Sequence, residues 1–292
     1  RKAHNLEVGG SNPSPATKNL FKMNKIILFY NYILHLLLKF LVDLFIYKKV
    51  FIYNFFTKIF YLGDFCFSYY SVKLNNVNFN DVTFRFACGG AYGKYLYNYL
   101  KNYNKKFQFI DIGSNIGIFS LIAKTNVNCV KTFSIEPAKF TYLDLKKNIK
   151  SRNNRVYNIA ISDFNGYGFI TFDKKHTGVA KIIEQKKIKN YKKKEKIIIK
   201  NYKIFNKLYN KDKAKNYIVK IDVEGHQIKV VKEIKKSKIY KHISAIYVET
   251  ERNYKSINKL KYILSDFICK NKDHVVFNKI KTKNLNLMFI KK

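Results

Sequence analysis

Residues 107–121 read "FQFIDIGSNIGIFSL". A short apolar run ends at Asp111, two glycines, a serine and an asparagine follow, and Ile118, Leu121 and Ile122 then recur at helical spacings. A strand turning tightly into a helix accounts for this pattern. Gly113 and Gly117 let the backbone turn, and they let a ligand pack directly against amides at a positive helix end. The turn departs from G-x-G-x-x-G, because Asp111 stands where the first glycine would be. A carboxylate there repels a pyrophosphate and suits a ligand carrying an ammonium or sulfonium group.

Working outward, "VKTFSIE" is a second strand ending on Glu136, 25 positions after Asp111, where an acidic side chain accepts hydrogen bonds from ribose hydroxyls. Pro137 precedes a helix with Tyr142, Leu145 and Ile149 on one face. "VYNIAIS" reads as a third strand, and "GYGFITF" as an extra one after a turn at Asn165 and Gly166. Residues 174–216 are lysine-laden and show no clear period. "YIVKID" and "ISAIYVE" are buried-type strands flanking a helix with Ile228, Val231 and Ile234, and "HVVFNKI" and "LNLMFIK" close the chain as an antiparallel pair. Near-continuous apolar strands alternating with helices imply an α/β fold, an open and mostly parallel sheet covered on both faces. Ligands bind such sheets at the carboxyl ends of the strands.

"VKIDVEGHQ" puts Asp222 and Glu224 at one such end, with Gly225 and His226 following. Two carboxylates and an imidazole can deprotonate a hydroxyl, position it, or hold a divalent cation; equally, one carboxylate can cap the next helix. Glu249 and Glu251 add acid to the same edge.

The net charge of +38 suggests an anionic partner. Only Arg1, Arg85, Arg152, Arg155 and Arg252 are arginines, however, and the lysines are scattered among Asn, Ile, Tyr and Phe, residues that all have A/T-only codons. A low-GC genome explains much of that bias, and nucleic acid is not the expected partner. Cys66, Cys88, Cys129 and Cys269 form no CxxC pair and no Cys/His ligand spacing, so no metal site or disulfide framework is expected and a reducing cytoplasm fits.

Residues 1–22 hold two of the three prolines and a Gly-Gly pair, and the first methionine is Met23. "GSNP" is what GGT TCG AAT CCC encodes, a string resembling the T-arm of a transfer RNA gene, so this stretch is expected to be a non-native or disordered leader. Residues 23–106 read as an apolar and aromatic helical appendage, and 107–292 as the main domain. Within the appendage, residues 26–47 are long enough to span a bilayer, but Asn31, His35, Lys39 and Asp43 recur every four positions. That makes one polar stripe on an otherwise apolar helix. Lys39 and Asp43 are spaced to pair. The expectation is an amphipathic helix packed on the domain or lying on a membrane surface, with the protein peripheral at the inner face.

"FIDIGSNIGIFSLIA", "FSIEP", "NIAISDFNGYGFITF", "VKIDVEGHQIKVVKEI" and "IYVETE", in this order, resemble the FkbM-type family of S-adenosylmethionine-dependent methyltransferases. The resemblance covers about residues 107–292. It implies the class I methyltransferase sheet, Rossmann-like with a reversed last strand, and methyl transfer to hydroxyl oxygens of an acceptor such as a glycan or lipid-linked saccharide. It further implies that Asp111, Gly113, Asn115 and Gly117 form the methionine-side loop, that Glu136 holds the ribose, and that the turn from Ala160 to Asp163 borders the adenine. Asp222, Glu224 and His226 become the acceptor-side catalytic candidates. Gln227 stands where the family usually has an acid, and "IIIKNYKIF" lacks its usual aspartate. A nucleic-acid methyltransferase would be expected to carry an Asn-Pro-Pro-aromatic or Pro-Cys motif, which is absent. A dinucleotide oxidoreductase would carry G-x-G-x-x-G, and a non-catalytic basic membrane protein would need only the helix and the lysines.

Overall fold

The computed structural model describes residues 15–44, 49–150, 153–183, 189, 191–209, 216–277 and 280–292. Residues 1–14 of the expected leader and 45–47 of the apolar segment lie outside these. The chain begins with α1 (Pro15–Leu44), α2 (Lys49–Phe60), the hairpin β1 (Phe65–Phe67) and β2 (Lys73–Asn75), α3 (Val82–Gly89) and α4 (Lys94–Asn102). β3 (Phe107–Ile112), α5 (Ile118–Thr125), β4 (Cys129–Ile135), α6 (Lys139–Asn148), β5 (Asn154–Tyr157), β6 (Ala160–Ile161), β7 (Gly166–Thr171) and β8 (Ile182–Ile183) follow. The remainder is β9 (Lys194–Lys200), α7 (Lys203–Leu208), β10 (Tyr217–Ile221), α8 (Gln227–Lys235), β11 (Ile243–Glu251), α9 (Tyr254–Ile263), β12 (Phe267–Phe277) and β13 (Ile280–Lys291).

The main sheet has the order β12-β13-β11-β10-β3-β4-β5. β5, β4, β3, β10 and β11 pair in parallel, while β13 runs antiparallel to both β11 and β12. This is the Rossmann-like, mostly parallel sheet with a reversed last strand that the sequence implied. Every residue of β3 and β10 is buried, as central strands covered on both faces must be. Alternation sends Ile110, Ile112, Val219 and Ile221 into a core under α8 and α9, and Phe107, Phe109 and Ile218 into a second core under α4 and α5.

The third strand departs from its reading. Only Asn154–Tyr157 joins the main sheet, and Ala160–Ile161 pairs with β9 in a separate four-stranded sheet of order β6-β9-β7-β8. Asn158 makes the break: its side-chain amide donates to the carbonyls of Glu136 (3.0 Å) and Pro137 (2.8 Å), which anchors the chain at the β4 tip while it changes sheets. "GYGFITF" belongs to that second sheet as β7.

α1 starts at Pro15, a position where a first-turn proline is tolerated, and runs through the expected boundary at residue 22. Its polar stripe turns inward at Asn31 and His35. Asn31 bonds the backbone of Leu62 and Phe65, and His35 bridges the hydroxyls of Tyr53 (2.7 Å) and Ser71 (2.9 Å). Instead of pairing with Lys39, Asp43 accepts from the Tyr69 hydroxyl, and the Lys39 ammonium lies 5.2 Å from the same ring's centroid.

Candidate functional site

The glycine turn joins β3 to α5 and is tied to the tip of β4. Gly113 N (2.9 Å) and Ser114 N (3.0 Å) donate to Ile135 O, and Ile135 N donates to Ser114 Oγ (2.8 Å). Glu136 accepts from Asn115 N on one carboxylate oxygen and from Ala138 N on the other, both at 3.0 Å. Gly113 (φ +74), Asn115 (φ +50) and Gly117 (φ +89) all occupy the left-handed region, which glycine adopts without strain and asparagine tolerates. Gly113 meets a second constraint besides its turn. A Cβ there would lie 1.8 Å from the backbone oxygen of Asp222, so the neighbouring strand tip excludes a side chain. At Gly117 a Cβ would meet Leu145 of α6, 2.6 Å away.

Below the turn lies a buried ion cluster. Asp111 and Lys220 are cross-strand partners in the β3–β10 register, and alternation puts both on the α5 face. The Lys220 ammonium is 3.3 Å from Asp111 Oδ1 and 3.2 Å from Asp222 Oδ2, and it donates to Gly113 O at 2.9 Å. Ser120 of α5 donates to Asp111 Oδ2 (2.8 Å). Burial pulls the Lys220 pKa down, and Asp222 and Asp111 more than offset this, so it lies above the ordinary lysine value.

Past β10 the chain turns through Asp222–His226. His226 occupies the N-cap of α8 without a side-chain cap bond, so neither Asp222 nor Glu224 is the capping residue. Ser162 Oγ donates its single hydrogen to Asp163 Oδ1 (2.8 Å), so at 2.9 Å from His226 Nε2 it can only accept. That places the imidazole hydrogen on Nε2 and leaves Nδ1 a free lone pair. Burial, with Lys229 assisting, holds the His226 pKa below the ordinary value, so the ring is neutral at pH 7. Burial and the Asp222 charge push the Glu224 carboxyl up to about 7, against the pull of Lys181 at 3.9 Å. Burial likewise raises Glu136 to about 7, although its two backbone donors oppose the shift.

These groups surround one cleft enclosing about 800 Å³, open solvent included, at the carboxyl ends of β3, β4 and β10. Gly113, Asn115, Glu136, Ala160, Asp222, Glu224 and His226 all line it. Three expected cofactor residues do not. Asp111 is fully buried and paired with Lys220. Gly117 packs on α6. Asp163 is turned toward solvent, pairing with Lys229 at 3.2 Å and orienting Ser162. Gln227 is buried against Thr250, to whose hydroxyl it donates (3.1 Å). Among the described residues no group of three His, Cys, Asp or Glu converges as metal ligands would.

The sequence reading missed Lys220, although a lysine between Val219 and Ile221 in a buried strand, two residues before Asp222, is a legible signal. It also missed the roof, formed by Thr83, Tyr92, Thr177 and Gly178. Asp81 assembles that roof, accepting from Thr83 N (2.9 Å), Thr177 N (3.1 Å) and Thr177 Oγ1 (2.7 Å), and Asn115 Nδ2 donates to Thr177 Oγ1 (3.1 Å). No periodicity links positions so far apart in the chain.

No protein-family profile matches the chain, and no curated protein matches it. Among solved structures, it is similar to the methyltransferase FkbM from Methylobacillus flagellatus KT (13% identity over 62% of this chain and 43% of that one, TM-score 0.41). It is also similar to precorrin-6y C5,15-methyltransferase from Geobacter metallireducens (10% identity, 68% and 86%, TM-score 0.39). A third is TrmK from M. capricolum in complex with S-adenosyl-homocysteine (9% identity, 68% and 69%, TM-score 0.39).

Proposed function

We propose that the chain is an FkbM-type methyltransferase that transfers a methyl group from S-adenosylmethionine to an acceptor hydroxyl, on a glycan or a lipid-linked saccharide. The observation that carries this reading is one cleft with Glu136 and the glycine turn on one wall and Glu224 and His226 on another. The donor set suits such a cofactor. Each Glu136 oxygen keeps a lone pair for a ribose hydroxyl, and Ile135, Ile159 and Ile161 offer apolar walls for a purine. Lys220 is the lining cation among the described residues, and two carboxylates hold it, so the cleft offers no free charge to a pyrophosphate. That disfavours a dinucleotide.

S-adenosylmethionine, when bound, supplies an electrophilic methyl group. The chain's task is to hold the acceptor oxygen in line and to take its proton as the new bond forms. His226 Nδ1 is suited to receive it, since Ser162 and Asp163 fix the tautomer. His226→Ala is expected to lower turnover about 100-fold while leaving affinity for S-adenosylhomocysteine nearly unchanged. Wild-type turnover in His226→Ala, together with loss in Glu224→Gln, would move the role to the carboxylate.

A second expectation concerns Glu136. Ribose hydroxyls donate to the ionised carboxylate, so binding below pH 7 must expel a proton. Affinity for S-adenosylhomocysteine is therefore expected to climb up to about tenfold per pH unit below about 7 and to level off above it. Calorimetry across pH checks this. A slope that survives in Glu136→Gln would remove the residue from the ribose site. The function itself is tested with labelled cofactor and cell-envelope glycan fractions, and label entering RNA while sparing every glycan would sink it.

A further inference from the structure

We propose that α1 and α2 together form a docking face for an anionic lipid bilayer, lying in its surface rather than crossing it. The usual arrangement of an amphipathic helix is inverted here. Asn31, His35, Leu38 and Val42, spaced four, three and four apart, face the protein and are buried. Phe29, Ile33, Leu36 and Phe40, with the same spacing on the opposite side, face outward, and Phe29 and Phe40 remain 67% and 66% exposed. α2, packed against α1, leaves Phe51 68% and Phe55 49% exposed. So many large apolar side chains left exposed on two helices that pack on each other mark an interaction surface.

The charges select the occupant. Between residues 15 and 62 the sequence carries seven lysines and one acid, Asp43, and Tyr69 engages that acid. Lys22, Lys25 and Lys58 are exposed on the same two helices. Apolar side chains flanked by lysines match the boundary between acyl chains and anionic headgroups. A second copy of the chain would instead set one copy's lysines against the other's.

Spanning is excluded by what the inward stripe touches. α1 from Lys22 to Asp43 is long and apolar enough to cross a membrane, but Asn31 is bonded to the backbone of Leu62 and Phe65, and His35 to Tyr53 and Ser71. One long side of the helix is thus occupied by protein. A crossing orientation would carry those elements into hydrocarbon.

The test uses the full chain with vesicles of three parts phosphatidylcholine to one part phosphatidylglycerol, read by flotation. Wild type is expected to float with the vesicles, and Phe29→Glu/Phe40→Glu/Phe55→Glu to bind at least tenfold more weakly with unchanged circular dichroism. The chain's scattered lysines could bind such vesicles by themselves, so wild-type binding in the triple variant overturns the proposal. It is equally overturned if wild type stays in solution, or if sedimentation velocity shows a self-associated species that the same substitutions dissociate while vesicle binding is absent.

Discussion

Gly113→Val is expected to destabilise the protein by about 4 kcal/mol or more and to abolish ligand binding in the cleft. Two independent penalties coincide there. The residue holds φ at +74, where an ordinary side chain costs about 1–2 kcal/mol and a β-branched one more. Its Cβ would also sit 1.8 Å from Asp222 O, a backbone atom that cannot swing aside. Asp222 N donates to Ile112 O at 3.0 Å, so separating the two strand tips breaks a sheet bond and moves Asp222 away from Lys220. Gly117→Ala is the contrasting case. Its φ of +89 carries the same backbone cost, but its Cβ meets only the ends of the Leu145 and Ile149 side chains rather than backbone, and a smaller loss is expected. Thermal unfolding and calorimetry with S-adenosylhomocysteine measure both effects, and a Gly113→Val protein with wild-type melting temperature would refute the packing account.

Gly113 also illustrates what the sequence could convey. The turn, its place between strand and helix, and Glu136 in register were all legible, because they follow from local periods and from chemistry at strand ends. The partner that demands the glycine was not, since Asp222 lies over a hundred residues away and reaches the turn only through the β3–β10 pairing. Asp111 shows the same boundary. A carboxylate at the start of a ligand loop reads naturally as a ligand contact, and only the register with Lys220 reveals a buried counter-ion beneath the loop. Asp163 was set beside the cofactor by the resemblance alone, and what the sequence did not show is that Asn158 bends the chain, Ala160–Ile161 enters another sheet and the Asp163 carboxylate pairs with Lys229. The stripe on α1 was correctly periodic. Periodicity states which residues share a face but not which face the protein covers, and here the protein covers the face that carries Asn31 and His35.

Lys220→Met is expected to destabilise the protein by about 3–5 kcal/mol, the cost of removing one partner from a buried ion pair. Methionine preserves most of the stem's volume, so the loss comes from charge. Asp111 has no exposed surface, and its Oδ1 has no partner but the ammonium at 3.3 Å, whereas Oδ2 keeps the Ser120 hydroxyl. Without Lys220 that carboxylate must remain charged in an apolar layer or take up a proton, and either change costs free energy at neutral pH. Gly113 O loses a donor at the same time, and Asp222 loses the contact that holds it beside the cleft. Turnover is therefore expected to fall with stability. Adding Asp111→Asn separates the two causes. The double variant removes the orphaned charge and should recover a large part of the stability while leaving turnover low, because Asp222 and the Gly113 carbonyl still lack their ammonium. Chemical denaturation of the single and double variants measures this coupling. A Lys220→Met protein within about 1 kcal/mol of wild type would mean that the cluster is solvated by water reaching in from the cleft, and that the ammonium is not what holds β3 and β10 in the geometry the site requires.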